Sequence, residues 1–288
     1  MPEITGRTQL LGVMGDPVEH SLSPAMHNAA LAELGLDWVY VPFPVQAERL
    51  EAALAGLAAI GVVGFNVTLP HKQRILPQLQ ELSDAARLVG AVNTVYRTEA
   101  GWGGTNTDVD GFVAPLWRQR QDWSQAAPLI LGNGGAARAA VVGCARLGCR
   151  RIRVVGRDRA KLAQFQQSWQ AAPLGATLET HPWDALPQLV PQTGLLVNTT
   201  PIGMAPHTDG VPLEPATLAQ LPAGAMAYDL IYTPRPTRLL TLAQQQGAIA
   251  LDGAEMLVQQ GAAALSYWLQ QPVPDGTMRE VLLQRLER

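Results

Sequence analysis

Residues 129–138 read Leu129-Ile130-Leu131-Gly132-Asn133-Gly134-Gly135-Ala136-Ala137-Arg138, and this stretch decides the fold. The apolar residues predict a short strand, and the alanine-rich run after the glycines predicts a helix. Between them lies a Gly-x-Gly-x-x-Ala turn, in which Gly132 permits the bend, Gly134 lets the backbone approach a pyrophosphate and Ala137 lets the helix pack closely. The stretch therefore predicts a βα unit whose helix N-terminus binds a dinucleotide.

The same alternation of strands and helices runs along the whole chain. A second βα series in the first third predicts another sheet covered by helices, and further strands after residue 190 would extend one parallel sheet around the glycine turn. The predicted strands or extended segments are 10–14, 38–41, 64–67, 92–96, 101–106, 129–131, 151–155, 195–198 and 226–229, and the predicted helices are 24–34, 48–60, 109–117, 136–147, 160–169, 254–269 and 278–286. Ser23 before Pro24 predicts the N-cap of the first helix, and Gly35 predicts its end.

Length, charge and residue composition argue against several classes of protein. A chain of 288 residues predicts two domains, and a net charge of -3 with 16% charged residues argues against a surface that binds nucleic acid. No apolar stretch reaches about 18 residues, and the first residues lack a signal-peptide pattern, so we expect a cytoplasmic protein without a membrane partner. Cys144 and Cys149 have neither zinc-ligand nor redox spacing, and the five histidines show no close pairing, so we expect no metal.

The tip of the second strand of this unit bears on the choice of cofactor. It reads Gly156-Arg157-Asp158-Arg159. Arg157 and Arg159 can clamp a 2′-phosphate, which favours NADP(H). Asp158 could instead bind a ribose hydroxyl, as in NAD(H) enzymes, or cap the helix at 160–169.

Lys72 and Asp108 form the candidate catalytic pair. A hydride delivered to a ketone leaves an alkoxide that needs a proton, and an ammonium group held beside a carboxylate can supply and orient that proton. The alternative is an ordinary surface salt bridge. The sequence does not decide which member carries the proton.

A set of ordered motifs covers nearly the whole chain. The motifs are Gly15-Asp16-Pro17-Val18-Glu19-His20-Ser21-Leu22-Ser23-Pro24-Ala25-Met26-His27-Asn28, Asn66-Val67-Thr68-Leu69-Pro70-His71-Lys72, Gly90-Ala91-Val92-Asn93-Thr94, Asn106-Thr107-Asp108, the glycine turn, Asn198-Thr199-Thr200-Pro201-Ile202-Gly203-Met204, Tyr228-Asp229-Leu230-Ile231-Tyr232-Thr233-Pro234 and Gly253-Ala254-Glu255-Met256-Leu257-Val258-Gln259-Gln260. In this order they closely resemble the shikimate dehydrogenase family. Two departures are the acidic residue at the second-strand tip and Asn133, where the family usually has alanine.

The resemblance implies an α/β protein of two domains. A discontinuous substrate domain, residues 1–107 and 252–288, would be completed by the C-terminal helices, and a Rossmann-like NADP(H) domain, residues 108–251, would be inserted in it, with the active site in the cleft. The implied reaction is the reversible reduction of the small molecule 3-dehydroshikimate to shikimate in aromatic amino-acid (chorismate) biosynthesis. We expect a monomer or a homodimer.

The family pattern also implies roles for individual residues. Ser21, Ser23 and Tyr232 would bind the substrate carboxylate, Thr68, Asn93 and Gln260 would bind ring hydroxyls, and Lys72 and Asp108 would flank the reacting oxygen. The expected cofactor residues are Gly132, Asn133, Gly134, Gly135, Ala136, Ala137, Arg157, Asp158, Arg159, Thr199, Thr200, Pro201, Met204, Leu230, Gly253 and Met256. Met256 could equally fill the core, and Asn66 would support its loop.

Two rival functions remain open from the sequence. One is a quinate/shikimate dehydrogenase that uses NAD(H), which Asp158 alone favours. The other is a non-catalytic regulator built on the same scaffold, which the intact Lys72 and Asp108 disfavour.

Overall fold

The computed structural model describes residues 4–119, 122–170 and 173–287. The strands are β1 Gln9–Gly15, β2 Trp38–Pro44, β3 Gly64–Val67, β4 Glu81–Leu82, β5 Thr94–Thr98, β6 Gly101–Thr105, β7 Leu129–Leu131, β8 Arg151–Gly156, β9 Thr177–Pro182, β10 Leu195–Asn198, β11 Met226–Asp229 and β12 Ile249–Leu251. The α-helices are α1 Ser23–Glu33, α2 Leu50–Ala59, α3 His71–Arg74, α4 Asp84–Val89, α5 Asp108–Trp117, α6 Gly135–Arg146, α7 Arg159–Gln167, α8 Leu186–Leu189, α9 Pro215–Leu218, α10 Arg238–Gln245, α11 Ala254–Leu269 and α12 Asp275–Leu286. Among these ranges, no helix is long and apolar enough to cross a membrane.

The chain divides into two compact units. Unit 1 comprises Met1–Gly111 and Val258–Arg288, and unit 2 comprises Phe112–Leu257. Both divisions fall inside helices, α5 and α11, so each helix begins in one unit and ends in the other. The expected functional boundaries, after residues 107 and 251, lie a few residues earlier in the chain.

Unit 1 is built on a mixed six-stranded sheet in the order β2-β1-β3-β5-β6-β4. The first three strands are parallel, as the βα alternation predicts, whereas β5 is antiparallel to both β3 and β6. All four residues of β3 are buried, and Phe65 packs with Met14 and residues of α2 in the core. This central strand leads directly into the segment that carries Thr68 and Lys72.

The start of α1 differs from the prediction. The helix begins at Ser23 itself, with Pro24 in the first turn, and the N-cap position falls on Leu22, which makes no side-chain capping bond. The expected N-cap at Ser23 is therefore wrong by one residue, and the Ser23 side chain does not cap the helix. The predicted end is confirmed, because Gly35 follows the helix with φ +64° and donates its N–H to the Ala32 carbonyl.

Unit 2 is built on a six-stranded sheet in the order β12-β11-β10-β7-β8-β9, with every pair parallel. Counted from β7 as the first strand, this is the 3-2-1-4-5-6 order of the Rossmann fold. The predicted parallel sheet is confirmed. In such sheets, ligands bind at the carboxyl ends of the strands where the order reverses, which here lies between β7 and β10.

Candidate active site

Lys72 and Asp108 lie in direct contact in unit 1. The Nζ atom of Lys72, on α3, is 2.6 Å from Oδ2 of Asp108, the first residue of α5. The side chains are only 20% and 7% exposed, so the pair is shielded from water in a way that an ordinary surface salt bridge is not. Asn106 fixes the start of α5, because its Oδ1 accepts the Asp108 N–H at 3.0 Å.

Asn93 holds the other oxygen of this carboxylate. Its Nδ2 donates to Oδ1 of Asp108 at 2.9 Å and to Oγ1 of Thr107 at 2.9 Å, and its Oδ1 accepts the Thr107 N–H at 2.8 Å. Asn93 is 2% exposed. Its amide group is therefore engaged with the protein, and its position sets that of Asp108.

Gln260, on α11, joins the same cluster. Its Oε1 lies 3.4 Å from Nδ2 of Asn93, and its main-chain carbonyl accepts the hydroxyl of Thr107 at 2.9 Å. The C-terminal segment thus contributes directly to the surroundings of Asp108. Four of the predicted substrate residues, Lys72, Asn93, Asp108 and Gln260, are brought together by these bonds.

Ser21 and Ser23 lie at the start of α1. Ser21 is half-buried, and its Oγ accepts the Ser23 N–H at 3.3 Å. The Ser23 carbonyl contacts Nδ1 of the buried His27 at 2.9 Å, and burial lowers the pKa of His27 to about 4, so the imidazole is neutral at pH 7. This neutral ring stacks on Tyr40 with centroids 4.0 Å apart.

Tyr40 and Asn66 connect the segment of the two serines to Asn93, and so to the Lys72–Asp108 pair. The Tyr40 hydroxyl donates to Oδ1 of Asn66 at 2.7 Å, and Nδ2 of Asn66 donates to the Asn93 carbonyl at 3.0 Å. Burial raises the pKa of Tyr40 well above its usual value, which keeps the hydroxyl a donor. Thr68 is half-buried at the end of β3, with its methyl group facing Gly15.

The glycine turn of unit 2 combines a positive φ at Gly132 with open space beside Gly134. Gly132 has φ +100°, and a Cβ there would lie 2.9 Å from Oγ1 of Thr199 and 3.0 Å from Cγ2 of Thr200. Gly134 is the N-cap of α6, and a Cβ there would meet nothing within 4 Å. Gly135 and Ala136, at the start of α6, are half-buried, and Ala137 is fully buried. The first amides of a helix have no partner within the helix, so this N-terminus can bind an anion.

The three charged residues that follow β8, Arg157, Asp158 and Arg159, make different contacts. Asp158 caps α7, because its Oδ1 accepts the N–H groups of Ala160 at 2.9 Å and Lys161 at 3.1 Å. The Arg157 guanidinium lies 5.0 Å from the ring centroid of Trp183, and Arg159 makes an exposed ion pair with Asp184 at 3.7 Å. Asn133 reaches this tip, since a Cβ on Gly156 would lie 3.3 Å from its amide.

The remaining candidates of unit 2 follow the carboxyl ends of β10, β11 and β12. Thr199 binds back to the end of β7, donating its hydroxyl to the Leu131 carbonyl at 2.7 Å. Burial raises the pKa of Tyr232. Gly253 passes so close to the Leu230 carbonyl that a Cβ would collide with it. The other candidates in this part of unit 2 are Thr200, Pro201, Met204, Leu230 and Met256; Met204 is 46% exposed.

Comparison with known proteins decides the family. The family models for the shikimate dehydrogenase substrate binding domain and the shikimate 5'-dehydrogenase C-terminal domain match residues 13–95 and 253–283. A shikimate dehydrogenase (NADP(+)) of Gloeothece citriformis is 61% identical over 282 residues, 98% of either chain. The chain belongs to the shikimate dehydrogenase family.

Solved structures of shikimate dehydrogenases agree with this fold. The enzyme from Listeria monocytogenes, in complex with shikimate and NAD, gives a TM-score of 0.86 at 33% identity and covers 98% of this chain and 99% of its own. The enzyme from Thermus thermophilus, in complex with NADP(H) and shikimate, gives 0.84 at 32% identity and covers 96% and 99%. The predicted fold class, a substrate domain with a Rossmann-like domain, is confirmed.

Sequence reasoning within the shikimate dehydrogenase motifs missed several supporting residues. His27, Tyr40 and Trp183 were not assigned roles, although the structure places each against a candidate site residue. His27 lies inside a quoted motif, whereas Tyr40 and Trp183 lie outside all of them. Only the folded sheet shows that Tyr40, on β2, contacts Asn66, on β3.

Proposed function

We propose that this chain catalyses the reversible, NADPH-dependent reduction of 3-dehydroshikimate to shikimate, a step of aromatic amino-acid (chorismate) biosynthesis. The contact of 2.6 Å between Lys72 and Asp108, largely buried, is the observation that carries the proposal. The names of the relatives support the same reaction. The alternative function, a non-catalytic regulator, is disfavoured. A protein that only senses metabolites does not need a lysine and a carboxylate that are shielded from water.

When bound, NADPH would supply the hydride that reduces the ketone carbon. The Lys72 ammonium group donates the proton that the resulting alkoxide requires, and in the reverse direction the neutral amine accepts it. Both oxygens of Asp108 accept hydrogen bonds, from Lys72 and from Asn93, which supports the assignment of the transferred proton to Lys72. Asp108 accepts a hydrogen bond from one N–H group of the Lys72 ammonium and so orients the other two N–H groups.

Hydrogen bonds at fixed points select the substrate. Ser21, Ser23 and Tyr232 bind its carboxylate, and Thr68, Gln260 and Asn93 meet its ring hydroxyls. The engaged amide of Asn93 supports a second task, the fixing of Asp108. A site built of such donors rejects analogues that lack the matching groups, because polar atoms left unpaired away from water cost free energy.

The residues of unit 2 fit NADP(H). The pyrophosphate would be held by the backbone of Gly132, Asn133, Gly134, Gly135, Ala136 and Ala137, and the 2′-phosphate by Arg157 and Arg159. Oδ1 of Asp158 caps α7, which gives this acidic residue a structural role that does not require NAD(H). The nicotinamide end of the site would be formed by Thr199, Thr200, Pro201, Met204, Leu230, Gly253 and Met256.

The proposal extends to the setting of the protein. The functional division would run at residues 107/108 and 251/252, and the enzyme would act in the cytoplasm as a monomer or homodimer on a small-molecule substrate without a metal.

One assay tests the reaction, the substrate and the cofactor together. Purified protein is mixed with shikimate or quinate and with NADP+ or NAD+, and formation of the reduced nicotinamide is followed by its absorbance. We expect the highest kcat/KM with shikimate and NADP+. Higher kcat/KM with quinate and NAD+ would select the rival dehydrogenase, and absence of turnover with all four combinations would contradict the proposal.

A further inference from the structure

A buried carboxylate lies behind the nicotinamide end of the proposed cofactor site. Asp229, the last residue of β11, is fully buried. Its Oδ1 accepts Nδ2 of Asn198 at 3.0 Å and the Ile231 N–H at 3.1 Å, and its Oδ2 accepts the Thr237 hydroxyl at 2.7 Å. Asp229 therefore makes hydrogen bonds to three separate segments without itself reaching the surface.

The charge of Asp229 determines which way the Asn198 amide points. An ionised carboxylate only accepts hydrogen bonds, so Asn198 must present its NH2 group to Asp229 and its oxygen to the opposite side. On that side, Oδ1 of Asn198 accepts the N–H of Thr200 at 3.0 Å and its hydroxyl at 2.7 Å. The conformation of the Thr200 turn thus depends on the acceptor at position 229.

The same carboxylate orders the second loop. It binds the Ile231 N–H directly, and the Leu230 N–H is held by the Asn198 carbonyl at 3.1 Å. The two loops are then joined by the Ala205 N–H, which donates to the Thr233 carbonyl at 3.2 Å. Thr237, whose hydroxyl also accepts the Leu240 N–H at 3.3 Å, anchors the start of α10 to the same point.

We propose that Asp229 is a positioning residue for the nicotinamide half of NADP(H), acting through Asn198 on residues 199–204 and through its main-chain bond to Ile231 on residues 230–232. It touches neither cofactor nor substrate, and Arg157, at the adenosine half of the site, lies on the separate loop that follows β8. The inference rests on the proposed function, because it assumes that unit 2 binds NADP(H).

Two ligands separate the halves of the site. NADP+ uses both halves, whereas 2′,5′-ADP, which lacks the nicotinamide, uses only the adenosine half. We expect Asp229→Ala to weaken NADP+ binding about tenfold, the loss that corresponds to one removed anchor of a binding loop, and to leave the affinity for 2′,5′-ADP within about twofold of the original value. Titration calorimetry measures both dissociation constants.

Two further variants complete the test. Asp229→Asn has the same shape and keeps an acceptor oxygen for Asn198 and Ile231, so it should restore part of the NADP+ affinity. Thr193→Ala is the control, since Thr193 is also fully buried and hydrogen-bonded but precedes β10 at its opposite end. It should change the ratio of the two affinities by less than about twofold.

The outcomes distinguish the two proposals. If the unmodified protein binds neither ligand, the proposed function fails. If it binds both, and Asp229→Ala leaves NADP+ binding unchanged or weakens both ligands equally, the positioning role is overturned. Should Asp229→Ala fail to fold, Asp229→Asn decides alone: a selective loss of NADP+ affinity supports the role, and an unchanged ratio overturns it.

Discussion

Asn93 and Lys72 bind opposite oxygens of one carboxylate, that of Asp108, at 2.9 and 2.6 Å. The surroundings of the candidate proton donor therefore depend on an amide side chain that immediately precedes β5. Substitution of Asn93 should affect turnover through Asp108 as well as through any bond to substrate.

Asn93→Ala should lower kcat about ten- to a hundredfold and lower the free energy of unfolding by about 1–3 kcal/mol, because buried partners such as the Thr107 N–H lose their acceptor. Asn93→Asp should lower kcat further, because it places a second carboxylate against Asp108. Steady-state kinetics and urea unfolding measure the two effects. Faster turnover by Asn93→Asp than by Asn93→Ala would show that Asn93 does not act on Asp108.

Lys72→Ala should lower kcat by about 10²–10⁴-fold, the usual contribution of a positioned acid or base, and raise KM for shikimate much less. Arg74→Ala is the matched control, because Arg74 is an exposed cation on the same short helix and should be replaceable without loss of turnover. Near-normal kcat in Lys72→Ala would remove the proton-donor role.

Gly132→Ala and Gly134→Ala should separate folding from cofactor binding. A methyl group at Gly132 meets Thr199 and Thr200 and requires φ +100°, so this variant should lose both stability and NADP+ affinity. A methyl group at Gly134 meets nothing in the protein, so stability should stay within about 0.5 kcal/mol while NADP+ affinity falls. Gly276→Ala, equally unobstructed but in unit 1, is the control for both measurements. Unchanged NADP+ binding in Gly134→Ala would argue against this turn as the pyrophosphate site.

His27 should make the stability of the protein depend on pH. Its pKa is about 4 in the folded state and about 6.5 when unfolded, so the unfolded chain binds more protons between these values. Stability from this residue is complete above pH 6.5 and is lost, by about 1.4 kcal/mol per pH unit, as pH falls towards 4. His27→Gln should lack that loss.

The experiment for His27 compares unfolding free energies of the two proteins at several pH values from about 7 to about 4.5, the range in which the histidine pKa values differ. The difference between them is needed because Asp229, whose pKa burial raises to about 6, contributes a slope of the opposite sign in both proteins. Parallel pH profiles for the two proteins would show that folding does not lower the pKa of His27.

The sequence predicted those parts of the molecule that local patterns specify. The glycine turn, the parallel sheet around it and the start of α5 near Asp108 follow from spacing, because strand and helix periods and glycine requirements are local. The proximity of Lys72 and Asp108 came from the family motifs rather than from spacing. Asp158 left two interpretations open, a ribose contact and a helix cap, and in the structure its Oδ1 caps α7.

Other features required the folded chain. The mixed strand order of unit 1 depends on which strands pair, and the engaged amide of Asn93 depends on Thr107 and Asp108 being brought to it by the β5 and β6 hairpin. The N-cap of α1 was misplaced by one residue, because proline at either of the first two helical positions fits the same pattern. Asp229 gave no signal, since an acidic residue at a strand end resembles a solvated one until its burial is known.

The position of α11 late in the chain affects how the protein folds during translation. Trp268 donates its indole N–H to the Val95 carbonyl at 2.9 Å, and Gln260 completes the surroundings of Thr107. Unit 1 therefore needs residues from both termini, whereas unit 2 is continuous in sequence. On the ribosome, unit 2 can acquire its complete fold first, and the surroundings of Lys72 are finished only after α11 has been translated.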